Sequence, residues 1–179
     1  MKTGLVLGIG RQSEAVIRQL SSTNEYHILV LTRNTTSAKA KTIRQLPNVE
    51  LIDNKASHGY DRPSVEAAAS RSDFIFVNTD GFELGEQADT YWGIRLFELA
   101  SKSKVKHLIY SGLDYNGKES GFDPKFYVGH YEGKARVQGM HHRFDIEESQ
   151  LTLVQSTSMP KKSRQWHGPL FAQDHTSKT

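Results

Sequence analysis

The order of apolar runs and helix-period segments along the chain predicts an α/β fold, a doubly wound parallel sheet with helices on both faces. Three observations carry the prediction. Short apolar runs alternate with segments whose apolar residues recur at helical spacing, a glycine-rich turn joins the first such pair, and the connections are short. Residues 4–8 form a buried-strand run that breaks at glycine and leads into QSEAVIRQL, where Ala15, Val16 and Leu20 share a helical face. Residues 27–31 (HILVL) are the second strand, and residues 37–46 read as a helix stopped by Pro47. Residues 49–52 are a short strand, 64–70 a helix, 74–78 an apolar strand, 90–102 a strongly amphipathic helix and 107–110 (HLIY) the next strand. Residues 115–133 are rich in Gly, Asp, Tyr and Phe without a helical period and read as a long loop. A further helix is expected over 134–142 and a last strand over 151–155 (LTLVQ). Beyond Met159 the pattern stops, so residues 1–159 are expected to form one domain and 160–179 a poorly ordered tail.

Composition removes several chemistries. Among 179 residues there is no cysteine, which excludes disulfides, thiolate metal sites and cysteine nucleophiles. Hydrophobic residues make up 36% and charged residues 24%, with a mean hydropathy of −0.57, as expected of a soluble globular domain. No apolar run approaches the ~20 residues that span a bilayer, and the start MKTGLVLGIG has too short an apolar stretch for a secretory signal. The expectation is therefore a cytoplasmic protein without a membrane partner. A net charge of +3 is spread along the chain, with acids among the bases, which argues against direct nucleic-acid binding. The cluster KKSR at 161–164 reads as a solvated end.

The most informative motif is Gly8-Ile9-Gly10-Arg11-Gln12-Ser13, a G-x-G-x-x-(small) turn placed after a strand and at a helix start. Glycines allow the tight turn and let the backbone approach a pyrophosphate. The helix N-terminus then offers free N–H groups and a partial positive charge. A dinucleotide's adenine ribose is read at the end of the second strand, by an acid for NAD or by a base for the 2′-phosphate of NADP. Here that strand ends Leu31-Thr32-Arg33-Asn34, with no acid and with Arg33 able to clamp a phosphate, Lys39 or Lys41 standing nearby. NADP(H) is thus expected over NAD(H). Other signals are structural: Trp92, Leu96 and Phe97 read as core or interface, and Glu83, Glu86 and Asp89 as acids suited to a helix dipole. Adjacent His141 and His142 point about 100° apart on a helix and cannot share a metal, so no metal site is expected.

The stretches LGIGRQS, LTRN, VELID (49–53), FVNTDGF (76–82), VKHLIYSGL (105–113) and VGHYEGKARV (128–137) together resemble the NmrA-like family of atypical short-chain dehydrogenases. That family includes redox-sensing transcriptional regulators and isoflavone-reductase-type enzymes. The resemblance implies a Rossmann-type fold. Where the family has G-x-x-G-x-x-G, Leu7 fills the first slot here and Ser13 the last. In the parent dehydrogenases a Ser, a Tyr and a Lys four residues after the Tyr carry hydride chemistry. The resemblance assigns the lysine slot to Lys134 and the position four before it to His130, with Tyr131 one residue out of register and Ser111 at the serine position. His130 and Lys134 are then the candidate catalytic pair, Lys134 also a ribose contact, and Thr79, Asp80 and Phe82 neighbours of the cofactor; the alternative is a polar loop in which Gly81 makes a left-handed turn. Family members continue well past the equivalent of Met159, so the chain is expected to be truncated after the cofactor half, with the substrate lobe largely missing. Whether it is an enzyme is left open. The resemblance implies an NADP(H)-dependent oxidoreductase acting on a small metabolite or, alternatively, a noncatalytic redox sensor and transcriptional co-regulator that binds a protein partner and also enters the nucleus. A scaffold that binds neither is the third reading.

Overall fold

The computed structural model describes residues 1–140 and 151–155. Its elements run β1 (Lys2–Leu7), α1 (Arg11–Thr23), β2 (Tyr26–Thr32), α2 (Ala38–Arg44), β3 (Val49–Asp53), α3 (Arg62–Ala69), β4 (Phe74–Val77), α4 (Gly81–Lys102), β5 (His107–Gly112), α5 (Asn116–Glu119), a 3-10 turn (Pro124–Phe126), α6 (Gly129–Gly139) and β6 (Leu151–Gln155). The strands form one sheet in the order β3-β2-β1-β4-β5-β6, every pair parallel. The chain walks outward from β1 to β3, crosses back to β4 and continues to β6. That reversal separates the helices leaving β1 and β4 and opens a crevice at their carboxyl ends.

The strands read as continuous apolar runs because helices cover both faces of the sheet. Alternate residues point to opposite faces. Leu5, Leu7, Leu29, Leu31, Ile75 and Val77 meet Val65 of α3 and Leu96 and Phe97 of α4 on one side. Val6, Ile28, Val30 and Phe76 meet Ile17 of α1 and Ile43 of α2 on the other. Complete burial of each such side chain is worth about 1.5–3 kcal/mol, so these two layers hold the sheet and fix the crevice between them.

Helix starts follow the side chains that can cap them. The Ser37 hydroxyl accepts from the Ala40 N–H at 3.2 Å, Asp61 from Ser64 at 3.0 Å and Asp80 from Glu83 at 3.2 Å, each satisfying one orphan donor of a first turn. In contrast, α1 starts at Gly10 with no side chain to cap it.

Two stretches differ from expectation. Helix α4 begins at Gly81, well before Thr90, and is broken at Gly85 (φ 74°, ψ 162°), so residues 81–84 make a separate turn outside the apolar period that starts beyond the break. The expected loop over 115–133 contains α5, the 3-10 turn and the start of α6, which begins at Gly129 rather than Lys134. The buried face of α6 includes Glu132, Gly133 and Lys134, so its helical period is hidden from a hydrophobicity reading. The expected helix end at His142 and the tail over 160–179 lie outside the described residues. Among the described residues no helix is long and apolar enough to cross a membrane.

Candidate functional site

A cavity of about 630 Å³ lies at the carboxyl ends of β1, β2 and β4. Gly8, Gly10, Arg11, Gln12, Ser13, Arg33, Thr79, Asp80, His130 and Lys134 all line it, so the fold brings every candidate site residue to one place.

The glycine turn forms one wall. Gly8 has a φ of +82°, a left-handed conformation that side-chain-bearing residues rarely adopt, and a Cβ built on Gly8 or Gly10 would meet nothing within 4 Å. The backbone there faces open space. The buried Ser13 donates its hydroxyl to the Leu7 carbonyl at 3.3 Å, tying the start of α1 to the end of β1. A small residue in that slot therefore serves close helix–strand approach. Ser111, buried at the end of β5, donates to Gln12 Oε1 at 3.3 Å.

Across the mouth, the Arg33 guanidinium donates through both terminal nitrogens to both carboxylate oxygens of Glu83 on the first turn of α4. This bidentate pair holds the Glu83 carboxyl below its usual range, chiefly through the Arg33 hydrogen bond. Lys39 pairs instead with Glu14 at 3.2 Å, and neither Lys39 nor Lys41 lines the cavity. Gly81 makes no left-handed turn; it opens α4, and the left-handed glycine of that segment is Gly85. Phe82, 83% exposed, lies against His130 with ring centroids 4.2 Å apart, and the Tyr131 ring meets His130 edge-on at 4.9 Å.

The cavity floor is an ionic cluster. Lys134 Nζ donates to both the carbonyl and the hydroxyl of Thr79 at 2.7 Å. Burial pushes the Lys134 ammonium below its usual range, opposed by the charge of Asp89. Asp89 was expected near the start of the helix, as an acid suited to its dipole. It is instead completely buried because α4 starts earlier than its periodicity suggests, which moves Asp89 into the helix interior facing α6. Lys134 Nζ stands 4.0 Å from one Asp89 oxygen, and burial raises the carboxyl above its usual range against the opposing pull of Lys134 and the Thr79 hydroxyl. The buried Tyr110 belongs to the same cluster, its ring 5.9 Å from Lys134 Nζ. The other expected dipole acids are ion-paired, Glu83 with Arg33 and Glu86 with Arg136. Among the described residues no cluster of three or more His, Asp or Glu could hold a metal.

Sequence reasoning passed over Asn54, Gly59 and Tyr60, which complete the wall beyond β3. Asn54 is buried, donates to the Gly59 carbonyl at 2.9 Å and accepts from the Asp61 N–H at 2.6 Å. Its position just past a strand's carboxyl end was the available signal.

A parallel sheet reversing at β1 and β4, with a glycine turn and an uncapped helix at the reversal, defines a Rossmann-type α/β protein. The chain belongs to the NmrA-like family, whose sequence pattern matches residues 2–173. It is 31% identical over 138 residues to an NmrA-like family domain-containing oxidoreductase of Malbranchea aurantiaca, a match covering 69% of this chain and 40% of the relative. A second oxidoreductase of that description, from Aspergillus japonicus, is 30% identical over 63% of this chain and 34% of its own length. The chain thus spans 40% or less of these two relatives. Among solved structures, NmrA, a negative transcriptional regulator in complex with NADP, superposes with a TM-score of 0.70 at 21% identity, covering 86% of this chain and 44% of NmrA. NmrA in complex with NAD gives 0.66 at 20% identity and the same coverage, and vestitone reductase from alfalfa gives 0.64 at 18%, covering 87% of this chain and 56% of the reductase.

Proposed function

We propose that this chain binds NADP(H) in the cavity at the β1–β4 crevice and acts as an NADP(H)-dependent oxidoreductase on a small metabolite. The observation that carries the reading is the cavity's continuity, from Arg33 past the open glycine turn to His130 and Lys134. Its volume lies within the roughly 300–1,000 Å³ of small-molecule sites. Gly8 and Gly10 leave room for a pyrophosphate, and the first turn of α1, at Arg11, Gln12 and Ser13, presents its positive end. Arg33 offers a fork matched to a 2′-phosphate, and β2 ends without an acid to read a bare ribose. Thr79, Asp80 and Lys134 line the opposite half, where the ammonium can turn from Thr79 to ribose hydroxyls. The dinucleotide, when bound, supplies or accepts hydride at that end. His130 is the imidazole at that end and the candidate for proton relay. Both named relatives are called oxidoreductases, and NmrA has been solved with NADP and with NAD, which supports the reading.

A noncatalytic redox sensor that binds a regulatory protein is the second reading. The observation favouring it is Lys134, whose two hydrogen bonds both go to Thr79, together with a histidine where dehydrogenase chemistry uses a tyrosine hydroxyl. Calorimetric titration with NADPH, NADP⁺ and NADH tests the shared part. Saturable binding favouring the phosphorylated forms is expected, and absence of binding by the folded chain overturns both readings. Arg33→Glu should lower NADPH affinity by roughly 10- to 100-fold, the worth of hydrogen bonds to a charged group, and spare NADH. Consumption of NADPH with a panel of carbonyl compounds then separates enzyme from sensor.

A further inference from the structure

We propose that Glu83 is a built-in competitor for the anion that Arg33 receives, and that it sets the ratio of NADP(H) to NAD(H) affinity. The inference rests on the dinucleotide reading above. Arg33 and Glu83 stand on opposite banks of the cavity, one just past β2 and the other on the first turn of α4. Two guanidinium nitrogens meet two carboxylate oxygens, which is the fork geometry a phosphate uses. The Glu83 carboxylate therefore takes the seat that a 2′-phosphate would need.

The turn that carries Glu83 is built to yield that seat. Gly85 separates residues 81–84 from the rest of α4, and the same turn places Phe82 against His130 on the far side of the mouth. One turn thus bridges Arg33 and His130. Both partners of the ion pair are about 40% exposed, so water and ligands reach it without disturbing the core. Glu83 is a carboxylate at neutral pH, held further below its usual range by the Arg33 hydrogen bond, so the competition is between two anions. NADPH has to displace the carboxylate. NADH lacks the 2′-phosphate, leaves the pair intact and escapes that cost.

The test is calorimetric titration of wild type, Glu83→Gln and Glu66→Gln with NADPH and NADH. Glu66 pairs with Arg62 and Lys102 away from the cavity, so its variant controls for net charge. Glu83→Gln is expected to bind NADPH about fivefold more tightly, the equilibrium equivalent of an exposed ion pair, with NADH and the Glu66→Gln variant unchanged. An unchanged NADPH to NADH ratio in Glu83→Gln overturns the inference and leaves the dinucleotide reading standing. A ratio that moves only because NADH binding weakens also overturns it, since Glu83 would then be a ribose-hydroxyl acceptor. Failure of wild type to bind either cofactor overturns the dinucleotide reading and this inference together.

Discussion

At the scale of single residues, the cavity floor concentrates the greatest electrostatic tension. Lys134 and Asp89 are both buried, and each shifts toward its neutral form mainly through loss of water, while each opposes the other's shift. Removing the cation strands the carboxylate and leaves the Thr79 carbonyl and hydroxyl without their donor. Lys134→Met is therefore expected to destabilise the fold by about 3–5 kcal/mol at neutral pH, the usual cost of breaking a buried pair. The pH dependence has a definite sign. Because the folded Asp89 value lies above the ordinary 3.8, the stability held by its protonated form is complete below that value and is lost as pH rises through the raised one. Without Lys134 the carboxyl rises further, so the gap between variant and wild type should shrink on acidification. Asp89→Asn/Lys134→Met should lie above Lys134→Met alone. Urea unfolding at pH 5 and pH 7 measures both effects, and a penalty that is independent of pH and of Asp89 rules out the coupling.

At the scale of elements, α4 shows how a local break decides what faces the cavity. Gly85 adopts a φ/ψ combination essentially closed to other residues, and a Cβ there would touch nothing within 4 Å, so a substitution is felt through the backbone alone. Gly85→Ala is expected to cost about 1–3 kcal/mol in denaturant unfolding and to loosen the Phe82–His130 stack, seen as altered His130 ring resonances. Wild-type stability in that variant would mean that residues 81–84 are not a separate turn. This break also marks the limit of what the sequence made legible. The six strands, β6 over Leu151–Gln155 among them, were readable as apolar runs bounded by turn residues, and the glycine turn by its place between strand and helix. The first turn of α4 was not, because residues 81–89 carry no apolar stripe and one of their buried side chains is an aspartate. For the same reason α6 was placed late: Glu132 and Lys134 are buried by hydrogen bonds and charge rather than by apolar area. Arg33 was recognisable from its place after β2, whereas its partner Glu83, fifty positions away, was visible only once β1 and β4 set the two banks of the crevice.

At the scale of the whole molecule, the crevice is a gap between two independently packed layers. Residues of α1 and α2 close one face of the sheet and those of α3 and α4 the other, and the glycine turn sits where the layers part. A ligand seated there bridges both layers and binds the native state alone, which raises stability in proportion to RT ln(1 + [L]/Kd), about 2.7 kcal/mol at 100 times Kd. For a domain of this size each kcal/mol moves the melting temperature by about 2–4 °C, so NADPH in that excess should raise it by roughly 5–10 °C. The difference between NADPH and NADH at equal concentration, net of the displaced Glu83 pair, reports on Arg33. That side chain is exposed, so its attraction for a phosphate is screened over a Debye length of about 8–10 Å, and the difference should narrow as salt is raised towards 1 M. The shift common to both cofactors is expected to come from the backbone of the glycine turn and the buried walls, and so to persist. Melting curves across a salt series with each cofactor measure the two parts separately. Equal shifts for NADPH and NADH at low salt, in wild type and in Glu83→Gln alike, would leave Arg33 with no part in recognition, whereas a difference that survives high salt would assign the selectivity to the cavity's shape.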